Sequence, residues 1–407
     1  MSCPYVRAAR TPGALFPLVA SFVGGGLPIG MLTLAVLLLA RLQNGSFLGA
    51  GIMAAALSAG NAVGITVQGA LIDRRGQTTV LVTASLACLG SLVALVLVSA
   101  HGGPPTVTAA LAVAGGATIP ATPSAMRALW AALVTDPRLR MTGYALSAVS
   151  FTAATILGPV LVSGLLLVGG PRVAVLVAAG LAGGGGLLFA ATPASRRWAP
   201  AAARDARWSP GWHSGSGRGI LSGHGMRTLA VGNLAIGLAA GLSGVAVPAA
   251  AIALGTAALA GMFGAAGGAG DLLGGLAYGA RHWRLPLPLR LLTAQCGSAI
   301  ACASLAFASG SMPAMVAVML VSGATGAIQG ITTSTLLDDV AEPGALTGSY
   351  ALIVSCGLAG SATGYTIGGI LIDAIGIRNV LLAAAAAGFV AAGWYTCRLR
   401  TLNRRML

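Results

Sequence analysis

Asp271 stands alone, the one charged side chain in a long apolar stretch of a 407-residue chain that holds only eight Asp and Glu and four His. A carboxylate at membrane depth costs about 2.5–3.5 kcal/mol on insertion scales, so it marks a functional position by default. The chemistry open to it is uptake and release of a proton, or the holding of a cation. A hydrogen bond to a neighbouring helix, or a place nearer to water, is the alternative. The other acids lie at the edges of the apolar stretches or between them, some beside arginine, as in Gly69-x-Leu71-x-Asp73-Arg74-Arg75-Gly76. Inside the stretches the remaining polar groups are uncharged: Asn61, Gln68, Asn233, Gln295, Gln329, Thr332, Thr333 and Ser334. So few ionisable groups leave little from which to build a catalytic site, and the chain does not read as an enzyme. The six cysteines (Cys3, Cys88, Cys296, Cys302, Cys356, Cys397) lack metal-ligand spacing and read as small buried apolar groups. No motif points to a nucleotide, a metal or any other cofactor.

The elements that carry these residues follow from composition. Hydrophobic residues make up 56% and charged residues 8%, against about 25% charged in a soluble domain. Helices of roughly 20 apolar residues can cross a bilayer and satisfy their own backbone there, and no alternating pattern suggests a barrel. The sequence predicts twelve spans, at about 14–40, 47–71, 78–99, 106–128, 142–168 and 172–192, then about 226–250, 256–279, 287–308, 312–336, 347–372 and 377–397. Arg7 and Arg10 precede the first, but the apolar run Gly13 to Ala40 far exceeds the 7 to 15 residues of a signal-peptide core. The expected fold is therefore all-α: twelve transmembrane helices in two pseudo-symmetric six-helix bundles, residues 1–192 and 226–407, joined by a cytoplasmic linker at 193–225. Trp198, Trp208 and Trp212 in that linker are candidate interfacial anchors.

The two halves repeat at an offset of 206 residues. Gly69 returns as Gly275, Arg75 as Arg281, Asp136-Pro137 as Glu342-Pro343, Tyr144-Ala-Leu as Tyr350-Ala-Leu, Gly158 as Gly364 and Gly170 as Gly376. All 23 basic residues are arginine, and 20 of them fall on one side if the chain starts inside. The positive-inside rule then places both termini in the cytoplasm, and the charge of +15 reflects topology and anionic lipid. No nucleic-acid partner is called for. Arginine without lysine, with abundant Ala and Gly, suggests a GC-rich bacterial genome and an inner-membrane location. One loop breaks the repeat by sign: Arg127, Arg138 and Arg140 answer to Asp338, Asp339 and Glu342. The two loops could pair as a cytoplasmic gate. Exposed pairs give only about 0–1 kcal/mol each, so solvated loop charges are the equal alternative.

A further repetition joins opposite ends of the molecule. Gly69-Ala-Leu-Ile-Asp73-Arg-Arg-Gly76 resembles Gly369-Ile-Leu-Ile-Asp373-Ala-Ile-Gly376, so each half reads as two inverted three-helix units. On these residues the chain resembles the major facilitator superfamily, in which inverted triplets nest within two parallel halves. Gly69 to Gly76 matches the family signature between spans 2 and 3. Arg127-Ala-Leu-Trp130, Gly158-Pro159, and Gly274-Gly-Leu-Ala-Tyr278-Gly-Ala-Arg281 resemble bacterial drug-efflux members. Span 4 departs from them with Val113-Ala-Gly-Gly116 in place of an intramembrane arginine. Span 11 carries Gly360, Gly364 and Gly368 as helix-packing glycines but has Tyr365 where proline is usual.

The resemblance implies proton-linked, alternating-access export of a small neutral or amphipathic drug-like or natural-product molecule by a monomer in the lipid bilayer. A uniporter or importer of a neutral solute such as a sugar, and a non-transporting membrane receptor, are the alternatives. It implies that spans 1, 4, 7 and 10 line the cavity. Asn233, Gln329, Thr333 and Asn61 are then substrate-cavity candidates, against the alternative of interhelical bonds of about 0.6 kcal/mol. It also makes Gly69, Asp73, Arg74, Arg75, Gly76 and Arg281 a conformational latch. There Asp73 would lie by the start of span 11, where a helix dipole favours negative charge by about 0.3–1 kcal/mol. Asp73→Asn is expected to lower transport at normal surface expression; unchanged flux removes the latch.

Overall fold

The structure, a computed structural model, describes residues 11–198, 223–281, 283–341 and 346–402. Cys3, Trp208, Trp212 and Glu342 lie outside the described residues, as do the side chains of Asp73 and Arg138. Every described element is helical. Span 1 is built of Leu15–Ser21, a π-helical turn Phe22–Gly26, and Leu27–Asn44. Spans 2 and 3 are Phe47–Arg75 and Gln77–Ala100. Span 4 comprises Pro105–Ala117 and Thr122–Leu133, and spans 5 and 6 are Pro137–Val168 and Gly170–Ala191. The second set is His224–Ala253, Leu259–Ala280, Leu287–Ala308, Met312–Val340, Leu346–Ile375 and Ile377–Arg398.

Ten of these are long and apolar enough to cross a membrane. The other two are span 4, divided into pieces of 13 and 12 residues, and the glycine-rich span 8 of 22. Backbone geometry repeats where the sequence does. Gly76, Gly170 and Gly376 close three copies of the same inverted phrase, and all three have positive φ, at 86°, 73° and 81°. A side chain in that left-handed region is strained, which explains glycine at each.

The chain divides into two compact units, Met1–Gln43 with Ala59–Trp208, and Asn44–Ser58 with Ser209–Leu407. The first three turns of span 2 thus group with the later unit. In the first unit, the expected continuous helix at 106–128 is corrected: backbone helicity stops between Ala117 and Thr122. Pro120 and Pro123 lack the N–H groups that would carry the helix through. Span 2 repairs the break from outside. Buried Gln68 donates to the carbonyls of Ala117 and Ile119 at 3.0 and 2.9 Å and accepts from the Ala121 N–H at 3.0 Å. The π turn of span 1 abuts the same place, because a Cβ on Gly25 would stand 2.5 Å from both Thr122 Oγ1 and Pro123 Cδ. Below it Trp130, fully buried, donates to Ser147 Oγ at 2.7 Å. Trp198, expected at the membrane surface, packs against the buried cluster that contains Trp130, Phe189 and Ala14.

In the second unit, helices meet backbone to backbone. A Cβ on Gly360 would overlap the Leu234 carbonyl, one on Gly364 would overlap that of Leu238, and one on Gly368 would lie 3.3 Å from Leu242 Cα. Spans 9, 10 and 12 are stitched by a buried amide pair, with Gln329 donating to Gln295 and Gln295 donating to Gly388 O at 2.9 Å.

Gln68→Leu removes three partners from a buried break, each unsatisfied group costing about 1–3 kcal/mol. The variant is expected to unfold several degrees lower in detergent by thermal shift. Asn233→Ala should shift little, since that amide only back-bonds to Leu229 O at 3.2 Å. Equal shifts would show that Gln68 does not brace span 4.

Candidate functional site

Asp271 lies on the face of span 8 that meets span 10. Gly267, Gly270 and Gly274 share that face, spaced three and four residues apart as one helix stripe requires. A Cβ on Gly323 would overlap Gly267 O and stand 2.8 Å from Asp271 N, so the two backbones touch beside the carboxylate. The side chain is half-buried. Among the described residues it accepts no hydrogen bond and joins no ion pair. A charge in apolar surroundings without a partner is the costliest arrangement a carboxylate can take, and uptake of a proton relieves it.

The other candidates divide by unit. In the first, Asn61 is partly buried and its Oδ1 has no hydrogen-bond partner, beside Gly60 and Gly64, which press on Val113 and Ala117 of span 4. Gly158 lies against Gly30 of span 1, where a Cβ would be 2.7 Å from the Gly30 carbonyl carbon, and Pro159 sits within span 5 without ending it. Gly69 is open to substitution by its surroundings, whereas Gly76 is fixed by its positive φ. Arg74 and Arg75 are exposed and end span 2. In the second unit, Gln329 and Thr333 are buried, the first bonded to Gln295 as described. That bond makes Gln329 part of the stitching between spans, a position its own sequence neighbourhood does not reveal.

The loop charges have local partners. Arg127 lies over the Tyr144 ring at 5.8 Å. Tyr350, the repeat-equivalent of Tyr144, donates to Ser334 O at 3.2 Å and to Asp338 Oδ1 at 3.4 Å. The two tyrosines therefore hold the ends of spans 4 and 10 in the same manner, one under a cation and one beside an anion. Asp339 is exposed and Arg140 partly so. Arg281 rests over Trp283 at 5.3 Å. Sequence reasoning missed Arg290, which orders this turn through Tyr278 OH, Trp283 O and Leu285 O; a Tyr, a Trp and an Arg within 13 residues was the available signal. Among the described residues no group of His, Cys, Asp and Glu could hold a metal ion.

The sequence model of the Major Facilitator Superfamily matches residues 18–228, just over half of the chain. No curated protein matches. Among solved structures, the nucleoside transporter NupG is 14% identical with a TM-score of 0.74, covering 96% of this chain and 99% of its own. A bacterial homologue of the human lysosomal transporter Spinster, inward-facing and unoccupied, is 13% identical with a TM-score of 0.71, covering 96% and 98%. The human organic anion transporter MFSD10 (TETRAN) is 17% identical with a TM-score of 0.61, covering 94% and 99%. At these identities the likeness is one of fold.

Because Asp271 holds no polar partner, Asp271→Leu is expected to keep or raise thermal stability, removing an insertion cost of about 2.5–3.5 kcal/mol. A thermal-shift series of Asp271→Leu and Asp271→Asn checks this. A fall of several degrees in both would assign the carboxylate a structural bond.

Proposed function

The chain belongs to the Major Facilitator Superfamily, and from that premise we propose that it is a secondary active exporter whose alternating access is driven by protons. Membership makes it a multi-pass membrane transporter of a small-molecule substrate. The observation that carries the finer reading is Asp271, a half-buried carboxylate with no partner among the described residues, in a span packed tightly on span 10. Protonated, it is compatible with an apolar setting; ionised, it favours water or a cation. Access that alternates between two faces lets it load a proton on one side and release it on the other. The substrate fits as small and neutral or amphipathic, because the cavity candidates Asn61, Asn233, Gln329 and Thr333 offer amides and hydroxyls without charge. Both termini then lie in the cytoplasm. Arg138 and Arg140 would face Asp338, Asp339 and Glu342 as a gate, with Asp73 as its latch.

A second reading is facilitated or proton-driven uptake of a neutral polar solute. It is favoured by the fold likeness to NupG, whose name gives nucleosides as its cargo, and by the unpartnered Asn61 Oδ1.

Cells with the gene deleted and restored are loaded with a compound library, and efflux is followed with and without a proton uncoupler. Restored cells are expected to export at least one neutral or amphipathic compound, with export collapsing on uncoupling. Asp271→Asn is expected to abolish pH-driven flux at unchanged surface level. Intact pH-driven flux in that variant removes Asp271 from coupling, and net uptake selects the second reading.

A further inference from the structure

Span 2 is one unbroken helix held by two different sets of neighbours. Its later turns are fixed within the first unit by Gly60 and Gly64 against span 4 and by the three bonds of Gln68. Its first turns, Asn44–Ser58, group with the second unit. There it meets span 11. A Cβ on Gly51 would overlap the Tyr365 carbonyl, and one on Gly369 would overlap that of Phe47, so the two backbones are in direct contact. At the end of this contact, one carboxylate oxygen of Asp373 accepts from the N–H of Phe47 at 3.0 Å and from the N–H of Leu48 at 3.2 Å. These are the first two N–H groups of span 2, which no helical carbonyl can reach. Ser46 Oγ accepts from the Gly49 N–H at 3.3 Å, completing the cap.

We propose that Asp373 is a latch residue for the face of the transporter opposite the arginine-rich loops. Its carboxylate ties the start of span 2 to span 11 while that face is shut, and it must let go for that face to open. The inference rests on the alternating-access reading. It does not depend on the direction of transport or on protons. Under alternating access, a helix held along its length by two different sets of neighbours has to release one of them, and the set held by Asp373 is the one suited to release. Its bonds join a surface-exposed carboxylate to a helix end, where water can replace either partner. The grip of Gln68 is buried and has no such substitute. The repeated phrase supplies the rest. Asp373 occupies the place in Gly369 to Gly376 that Asp73 occupies in Gly69 to Gly76, and both phrases end on a glycine of nearly the same backbone geometry, φ 86° with ψ 162° at Gly76 and φ 81° with ψ 166° at Gly376. Two inverted copies of one device at opposite ends give each face its own latch. Asp73 and Asp373 then act in opposition: loss of either biases the protein toward opening on its own side.

The test uses the full-length protein in lipid nanodiscs, with native cysteines replaced and spin labels placed at the exposed positions Leu42→Cys and Ile375→Cys for pulsed dipolar distance measurement. No substrate or flux is involved, so the readout stands even if proton-driven export fails. Asp373→Ala is expected to move the population toward longer distances by roughly tenfold, the loss of about one charge-assisted hydrogen bond. Asp373→Asn, which keeps an acceptor, is expected to fall between it and the parent. Asp73→Asn should move the population toward shorter distances. Thermal shift is run on each variant, and if Asp373→Ala does not fold, Asp373→Asn carries the comparison. A distance distribution unchanged in every folded Asp373 variant overturns the latch.

Discussion

What holds this chain together is the approach of one helix backbone to another. Lipid tails are as apolar as leucine, so burying leucine between helices gains little in a bilayer, and association depends on close contact and hydrogen bonds. Gly241 and Gly364 show how close that contact is: a Cβ on Gly241 would be 2.8 Å from Gly364 Cα, and the reverse distance is 2.9 Å. Spans 7 and 11 therefore admit no side chain at their crossing. The same applies where span 1 meets span 6, with a Cβ on Gly24 standing 2.5 Å from Gly185 and Gly186 backbone atoms. The 61 glycines of the chain are, at these crossings, what makes the fold possible. A surface without protruding side chains can also slide, so the contact that binds the helices need not lock them.

Polar side chains supply the specificity that smooth glycine faces lack. Gln68 fastens span 2 to the break in span 4, and the Gln295 and Gln329 pair fastens three spans of the second unit. Trp394 Nε1 reaches Thr228 O at 3.0 Å, and Thr228 Oγ1 pairs with Thr401 Oγ1 at 2.8 Å, closing the two ends of that unit on each other. Each group finds its partner inside its own unit. Against that background Asp271 stands out as a half-buried carboxylate with no partner among the described residues.

Twelve helices were legible in the sequence because a bilayer imposes length and apolarity, and both can be read residue by residue. The repetition of the closing glycines was also legible, and the structure shows that Gly76, Gly170 and Gly376 are left-handed. The break in span 4 was not. Its prolines are visible, yet Pro159 and Pro248 sit inside helices that continue past them. What separates the cases is whether a partner stands ready to satisfy the freed groups. For span 4 that partner is Gln68, some fifty residues away on another helix, and no local pattern announces it. The bond of Gln329 to Gln295 was illegible for the same reason. An amide inside a span reads alike whether it faces a cavity or another amide, and only its neighbour Gln295 decides.

The two units have diverged in complementary ways. The π turn at Phe22–Gly26 and the break at 118–121 both lie in the first unit. Their counterparts 206 residues on, at 228–232 and 324–327, are continuous helix in spans 7 and 10. Conversely the buried charge belongs to the second unit, where Asp271 corresponds to Ile65 of the first. A π turn and a proline break are places where a helix can bend with little loss, because their hydrogen bonds are already rerouted. A carboxylate that is to take up and release a proton, as proposed for Asp271, calls for the opposite setting. If its backbone yielded each time its charge changed, the electrostatic cost would be relaxed locally and nothing would pass to the rest of the molecule. Spans 8 and 10, pressed together at Gly267, Gly323 and Gly274 with no irregular turn in either, provide that stiffness. Compliance and the membrane-depth carboxylate thus occupy separate copies of one design.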